Sequence, residues 1–135
     1  MKNKKRLYAT AAALVMMFTL CMSVYAAWDD FTISLPTAQG DYELPRVQKT
    51  STITCFSVKI TDIGTTSDDY DTVMVWTEKP SGDNYSSATY EAGLGKSNPP
   101  YDEQVPEVGD NVVLNMDNPI YTTDTPVVSG EWTPY

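Results

Sequence analysis

Residues 50–60 read Thr50-Ser51-Thr52-Ile53-Thr54-Cys55-Phe56-Ser57-Val58-Lys59-Ile60. β-branched and aromatic side chains dominate this run, and they suit a pleated surface. Alternation places Phe56, Val58 and Ile60 on one face with Thr54, and Ile53, Cys55, Ser57 and Lys59 on the other. A half-buried strand is therefore predicted over 50–60. Asp62, Ile63 and Gly64 open a loop that runs through Asp68, Asp69 and Asp71. Residues 72–77 form the next strand, with Val73 and Val75 opposite Met74 and Trp76. The connection is too short for a crossover helix, so these two strands are expected to pair antiparallel.

The same period-two signal recurs on both sides. Upstream, residues 30–35 alternate Phe31, Ile33 and Leu35 with Asp30, Thr32 and Ser34, and Pro36, which lacks an N–H, ends the run. Residues 43–49 contain Pro45 and are expected to form an edge strand or an extended loop. Downstream, residues 85–91 form a short strand, and Ala92, Gly93, Leu94 and Gly95 read as loop. Residues 111–116 alternate Val112, Leu114 and Met116 with Val113 and Asn115. Residues 126–133 set Val128, Gly130 and Trp132 against Val127, Ser129 and Glu131. Gly130 inside a strand implies a bulge or a close neighbour. No helix of normal length fits between the breakers, and there is no internal repeat. The fold class is all-β: a small antiparallel β-sandwich with Greek-key-like connections, preceded by a signal-peptide helix.

That leader is residues 1–26. Lys2, Lys4, Lys5 and Arg6 precede an uncharged run, and a small-residue exit follows at Val24 and Ala26. This is the pattern of a secretory signal, with cleavage expected between Ala26 and Ala27. The alternative is an uncleaved anchor, since residues 7–27 carry no charge and reach the roughly 20 residues that a span needs. Tyr8, Thr10, Thr19 and Ser23 dilute that stretch. Residues 27–135 are the size of a single domain. The expected location is secreted, either extracellular or associated with the cell envelope, without stable membrane insertion after cleavage.

Processing removes four of nine basic residues and none of the eighteen acidic ones, so the mature chain carries a net charge of −13. Such a surface repels nucleic-acid phosphates and anionic lipid. Nucleic acid is excluded as a partner on that ground; a basic protein, a cation or a neutral glycan is not. Cys55 alone survives processing, so no internal disulfide forms. Its place in an apolar alternating run predicts a buried small hydrophobe.

Catalytic chemistry finds little to work with. The chain has no histidine and no Gly-x-Ser-x-Gly, so a serine hydrolase lacks its base. Zinc lacks a second mature cysteine as well as histidine. Gly93-Leu94-Gly95-Lys96-Ser97 would need a glycine at Tyr90 to complete a phosphate loop. Paired carboxylates, the chemistry of glycoside hydrolysis, are inevitable in so acidic a chain and carry no weight by themselves. No cofactor is expected apart from calcium: Asp62, Asp68, Asp69 and Asp71 crowd one loop, and hard oxygen ligands suit that ion. The loop lacks the EF-hand pattern, and a solvated acidic loop is the favoured account of the same residues. Glycan stacking is the organic counterpart. Trp76 and Trp132 sit on strands and are expected in the core, whereas Tyr70, Tyr85, Tyr90 and Tyr101 fall in or near loops and are the candidate sugar-stacking residues.

Taken together, Val58-Lys59-Ile60, Val75-Trp76, residues 88–92 (Ala-Thr-Tyr-Glu-Ala), residues 113–118 (Val-Leu-Asn-Met-Asp-Asn) and residues 128–132 (Val-Ser-Gly-Glu-Trp) resemble a family of small secreted proteins of Gram-positive bacteria, a domain of unknown function. The resemblance implies export and a β-rich fold, and it brings no catalytic residues. The first functional expectation is a non-enzymatic exported module that binds a protein partner at or outside the cell envelope. A carbohydrate- or cell-wall-binding module is the alternative, and a small carboxylate-based hydrolase is the third.

Overall fold

The computed structural model describes residues 27–38, 40–64 and 70–135. The expected leader and its expected cleavage site lie outside the described residues, apart from Ala27. Among the described residues there are nine strands and no helix: β1 (Asp29–Ser34), β2 (Tyr42–Glu43), β3 (Val47–Gln48), β4 (Ser57–Ile63), β5 (Thr72–Glu78), β6 (Tyr90–Gly93), β7 (Gly95–Ser97), β8 (Asn111–Asp117) and β9 (Val127–Thr133). They make two sheets. The first runs β1-β9-β4-β7, and the second runs β2-β8-β5-β6 with β3 also on β8. Every pairing between these strands is antiparallel. The all-β sandwich is thus the architecture, and the chain changes sheet at every connection except β2–β3 and β5–β6.

The inward faces are those that the alternation marks. Phe31 and Ile33 of β1, Val58 and Ile60 of β4, Val73 and Val75 of β5, Val112, Leu114 and Met116 of β8, and Val128 and Trp132 of β9 form one buried core with Phe56. Pro36 does end β1, and β2 and β3 are two short edge pieces on either side of Pro45.

Gly130 sits opposite Phe31 on one side and Ile60 on the other. A Cβ there would lie 2.3 Å from the Lys59 carbonyl oxygen and 2.9 Å from Phe31 Cζ. The close neighbour is real, and the ladder irregularity falls on the partner strand, between Ile60 and Asp62.

Four expectations are corrected. Residues 50–56 are not strand: β4 begins at Ser57 and continues to Ile63. The backbone of 50–56 is satisfied elsewhere, with Thr50 and Ser51 N–H donating to the Tyr135 carbonyl and Phe56 N–H to Pro99. Second, β4 and β5 do not pair. Each buries an apolar face, and the two faces meet across the core from different sheets, so β4 pairs with β9 and β7 while β5 pairs with β8 and β6. Third, Ala92 and Gly93 complete β6 and Gly95 starts β7, whereas residues 85–89 are not strand. Gly95, at φ +98°, takes a left-handed conformation that glycine adopts without strain as the chain changes sheet. Fourth, Cys55 is half-buried and free, because its neighbour Phe56 fills the core.

Candidate functional site

In an antiparallel pair, directly opposite residues point to the same side. The register of β5 on β8 sets Met74 against Asp117, Trp76 against Asn115 and Glu78 against Val113. Since Val73, Val75, Leu114 and Met116 face the core, these six form the outer face of the second sheet. That face carries a cavity of about 370 Å³. Met74, Trp76, Glu78 and Asp117 line it from the strands, Asn118 and Pro119 from the end of β8, Asp41 from the approach to β2, and Asn84 and Ala88 from the segment after β5. Its size is at the small end of the range for ligand clefts.

Local chemistry fixes the walls. Trp76 Nε1 donates to Glu78 Oε1 at 2.7 Å, which orients both side chains. A turn closed by Gly82 N–H on the Lys79 carbonyl returns the chain so that Asn84 bridges to Glu78. Asn118 is fully buried. Its Nδ2 donates to the Pro36 carbonyl at 2.7 Å, and its Oδ1 accepts from the Tyr70 hydroxyl. Asn118 N–H also donates to Asp117 Oδ1 at 2.6 Å. Burial raises the Asp117 carboxyl above the ordinary aspartate range; the Asn118 N–H opposes that shift and the nearby Asp41 charge adds to it.

The cleft therefore brings Asp41, Glu78 and Asp117 around an indole, with no basic side chain among the described residues that line it. The indole is 5% exposed. It works as a floor more than as an open stacking face.

The sequence-predicted residues fall elsewhere. Tyr85 and Tyr101 are 3% and 5% exposed, so they are corrected to core residues with no ring face free to stack on a sugar. Their rings pack edge to face at 6.2 Å, and Tyr101 also meets Phe56 at 5.7 Å. Their hydroxyls reach Asp110 and the Pro134 carbonyl, and burial raises both phenols. Tyr90 is half-buried with its hydroxyl on Asp102. Tyr70 is half-buried behind the cleft, bonded to Asn118. Of the calcium set, Asp62 is exposed on β4 and Asp71 is exposed just before β5. Asp68 and Asp69 lie outside the described residues. Among the described residues no group of three metal-ligating side chains converges.

A second aromatic group lies at one end of the first sheet. Trp28 meets Tyr135 edge to face at 6.4 Å, and Lys96 Nζ stands 5.2 Å and 5.8 Å from the two rings while donating to the Tyr135 hydroxyl. This group already holds a cation, and the chain itself supplies it.

Reading Trp76 as core hid the cleft. The signal that could have exposed it was present: Met74, Trp76 and Glu78 alternate away from Val73 and Val75, and Asn115 and Asp117 do the same on β8. No family model, curated protein or solved structure matches the chain.

Proposed function

We propose that the chain is an exported, non-enzymatic β-sandwich module that binds a protein partner at or outside the cell envelope through the cleft on the second sheet. The observation that carries this reading is the cavity itself, with three carboxylates and no basic side chain among the described residues around a tryptophan floor. Export is supported by the leader pattern of residues 1–26, and a binding role by a sequence with no histidine to serve as a general base. The acidity of the mature chain favours a basic partner and increases the rate of encounter with one.

The test uses intact cells. Mass spectrometry of the medium and envelope should find a product that begins at Ala27. Cross-linking in place should give a protein adduct that is lost in the double variant Asp41→Asn/Asp117→Asn. Adducts identical in both forms would remove the cleft from the interaction. A glycan is the second reading, favoured by the tryptophan and the Asn84 amide in one lining. Retention on purified cell wall, abolished by the same double variant, would select it.

A further inference from the structure

We propose that two copies of this chain join edge to edge through β1, antiparallel and in a register centred on Thr32, so that their first sheets become one continuous sheet. The proposal stands apart from the cleft, which lies on the other sheet.

The direction of the β1 main chain follows from one bond. Leu35 N–H donates to the Pro126 carbonyl at 3.0 Å and so points at β9. Main-chain groups alternate in direction along a strand. Those of Asp29, Phe31 and Ile33 therefore also point at β9, and those of Asp30, Thr32 and Ser34 point away from it. β1 is the last strand of its sheet on that side. Among the described residues no backbone group pairs with this outer side. The side chains leave it open as well. The Thr32 hydroxyl meets that of Ser129 at 3.0 Å, and the Ser34 hydroxyl donates to the Thr125 carbonyl at 3.4 Å, both toward β9 and the segment that leads into it.

The other sheet edges are protected. β2 and β3 have two residues each and flank Pro45, β6 has four, and β7 has three and carries Lys96. Short strands, proline and lysine are the usual devices against edge pairing. β1 has six residues, with no proline, no lysine and no bulge.

Self-complementarity identifies the occupant as a second copy. A two-fold axis at Thr32 sets Thr32 against its counterpart, Asp30 against Ser34 and Asp29 against Leu35, so no carboxylate faces another. Centring on Asp30 would set acid against acid. Centring on Ser34 would bring Pro36, which has no N–H, into the ladder. In the Thr32 register the outward residues exchange about six hydrogen bonds. Phe31 and Ile33 then lie opposite each other on the core side. At 9% and 8% exposed they are the least covered members of the buried core, and the second copy closes that gap. The axis stands perpendicular to the joined sheet, so both second sheets lie on one side of it and the two clefts open in the same direction. Repulsion between chains of net charge −13 opposes the contact, and salt screens it.

The experiment is sedimentation of the purified mature chain from micromolar to millimolar concentration, in a Cys55→Ser background so that the thiol plays no part. A monomer–dimer equilibrium that tightens as salt rises is expected, with amide exchange at Asp30, Thr32 and Ser34 slowing as concentration increases. Thr32→Pro removes an N–H that the monomer leaves unpaired and should weaken the dimer about tenfold or more. Thr32→Asp sets like charges across the axis and should also weaken it. Thr123→Asp, which adds the same charge in an exposed loop, should have much less effect. Under mild oxidation Thr32→Cys should cross-link two copies, since the paired Cα atoms lie about 5.5 Å apart. Asp30→Cys should not, because its counterpart is displaced about 13 Å along the ladder.

A chain that stays monomeric to millimolar concentration overturns the proposal. So does a dimer that survives both Thr32→Pro and Thr32→Asp, one that loosens as salt rises, or equal cross-linking by the two cysteine variants. Should Thr32→Pro fail to fold, the aspartate and cysteine variants decide the question alone.

Discussion

The outer faces of the two sheets are built on different plans. On the first sheet the face is open to water and paired within itself: Lys59 meets Glu131 at 2.9 Å, and Thr32 meets Ser129 at 3.0 Å. On the second sheet the equivalent face is sunk. Trp76, Val113 and Asn115 are buried there although they point away from the core. As a result β8 shows five consecutive buried residues, where β1 alternates. A strand hidden on both sides has more to do than close a core, and on this chain the extra layer coincides with a cleft whose carboxylates make no ion pair among the described residues.

The comparison can be broken most directly with the tryptophans. Trp132→Ala on the core side should cost about 3–5 kcal/mol, read as a loss of denaturation midpoint. Trp76→Ala should cost about half as much by the same transfer-plus-cavity reasoning, because its indole packs outside the core, and it should abolish ligand binding. Equal losses would make Trp76 a core residue and erase the distinction between the faces. Gly130→Ala tests the first sheet alone. A methyl forced against the Lys59 carbonyl requires β9 and β4 to separate, so a loss of about 3 kcal/mol or more is expected from overpacking.

Smaller effects sharpen the contrast. Asn115→Leu removes an unsatisfied amide and should stabilise the fold by about 1 kcal/mol. Asp117→Asn should show a signed pH dependence. The folded carboxyl titrates above its unfolded value, so the wild type loses stability as pH rises through that folded value. The variant should therefore melt higher at neutral pH, and the advantage should vanish below the unfolded aspartate range. Lys59→Ala, on the open face, should change stability by no more than about 0.5 kcal/mol and should leave binding intact.

Much of this fold was legible because alternation is a local signal. The β1, β5, β8 and β9 strands follow from it nearly to the residue, as does the crowding at Gly130. What failed was decided by distant partners. Residues 50–56 have the composition of a strand, but their backbone groups go to Tyr135 and the loop at Pro99 and Pro100. The pairing of β4 with β5 was inferred from a short connection, and in a sandwich a short connection also spans the roughly 10 Å between sheets. The cleft was illegible for the same reason. Asp41, Glu78 and Asp117 are far apart in sequence, and nothing local says that β2, β5 and β8 will bring them together. Loop position does not imply exposure for the tyrosines: Tyr85 and Tyr101 plug the core from irregular segments.

Lys49 carries a consequence for chemical labelling. It is 1% exposed, its ammonium is spent on the Ile53 and Pro134 carbonyls above the Tyr101 ring, and burial lowers its proton affinity despite the opposing influence of Cys55. Acylating reagents should tag Lys59 and Lys79 quickly and leave this amine untouched while the domain is intact. Once the domain opens, the same amine regains its ordinary basicity and reacts as any exposed lysine does, so the rate at which it acquires a tag would report how often the native structure comes apart.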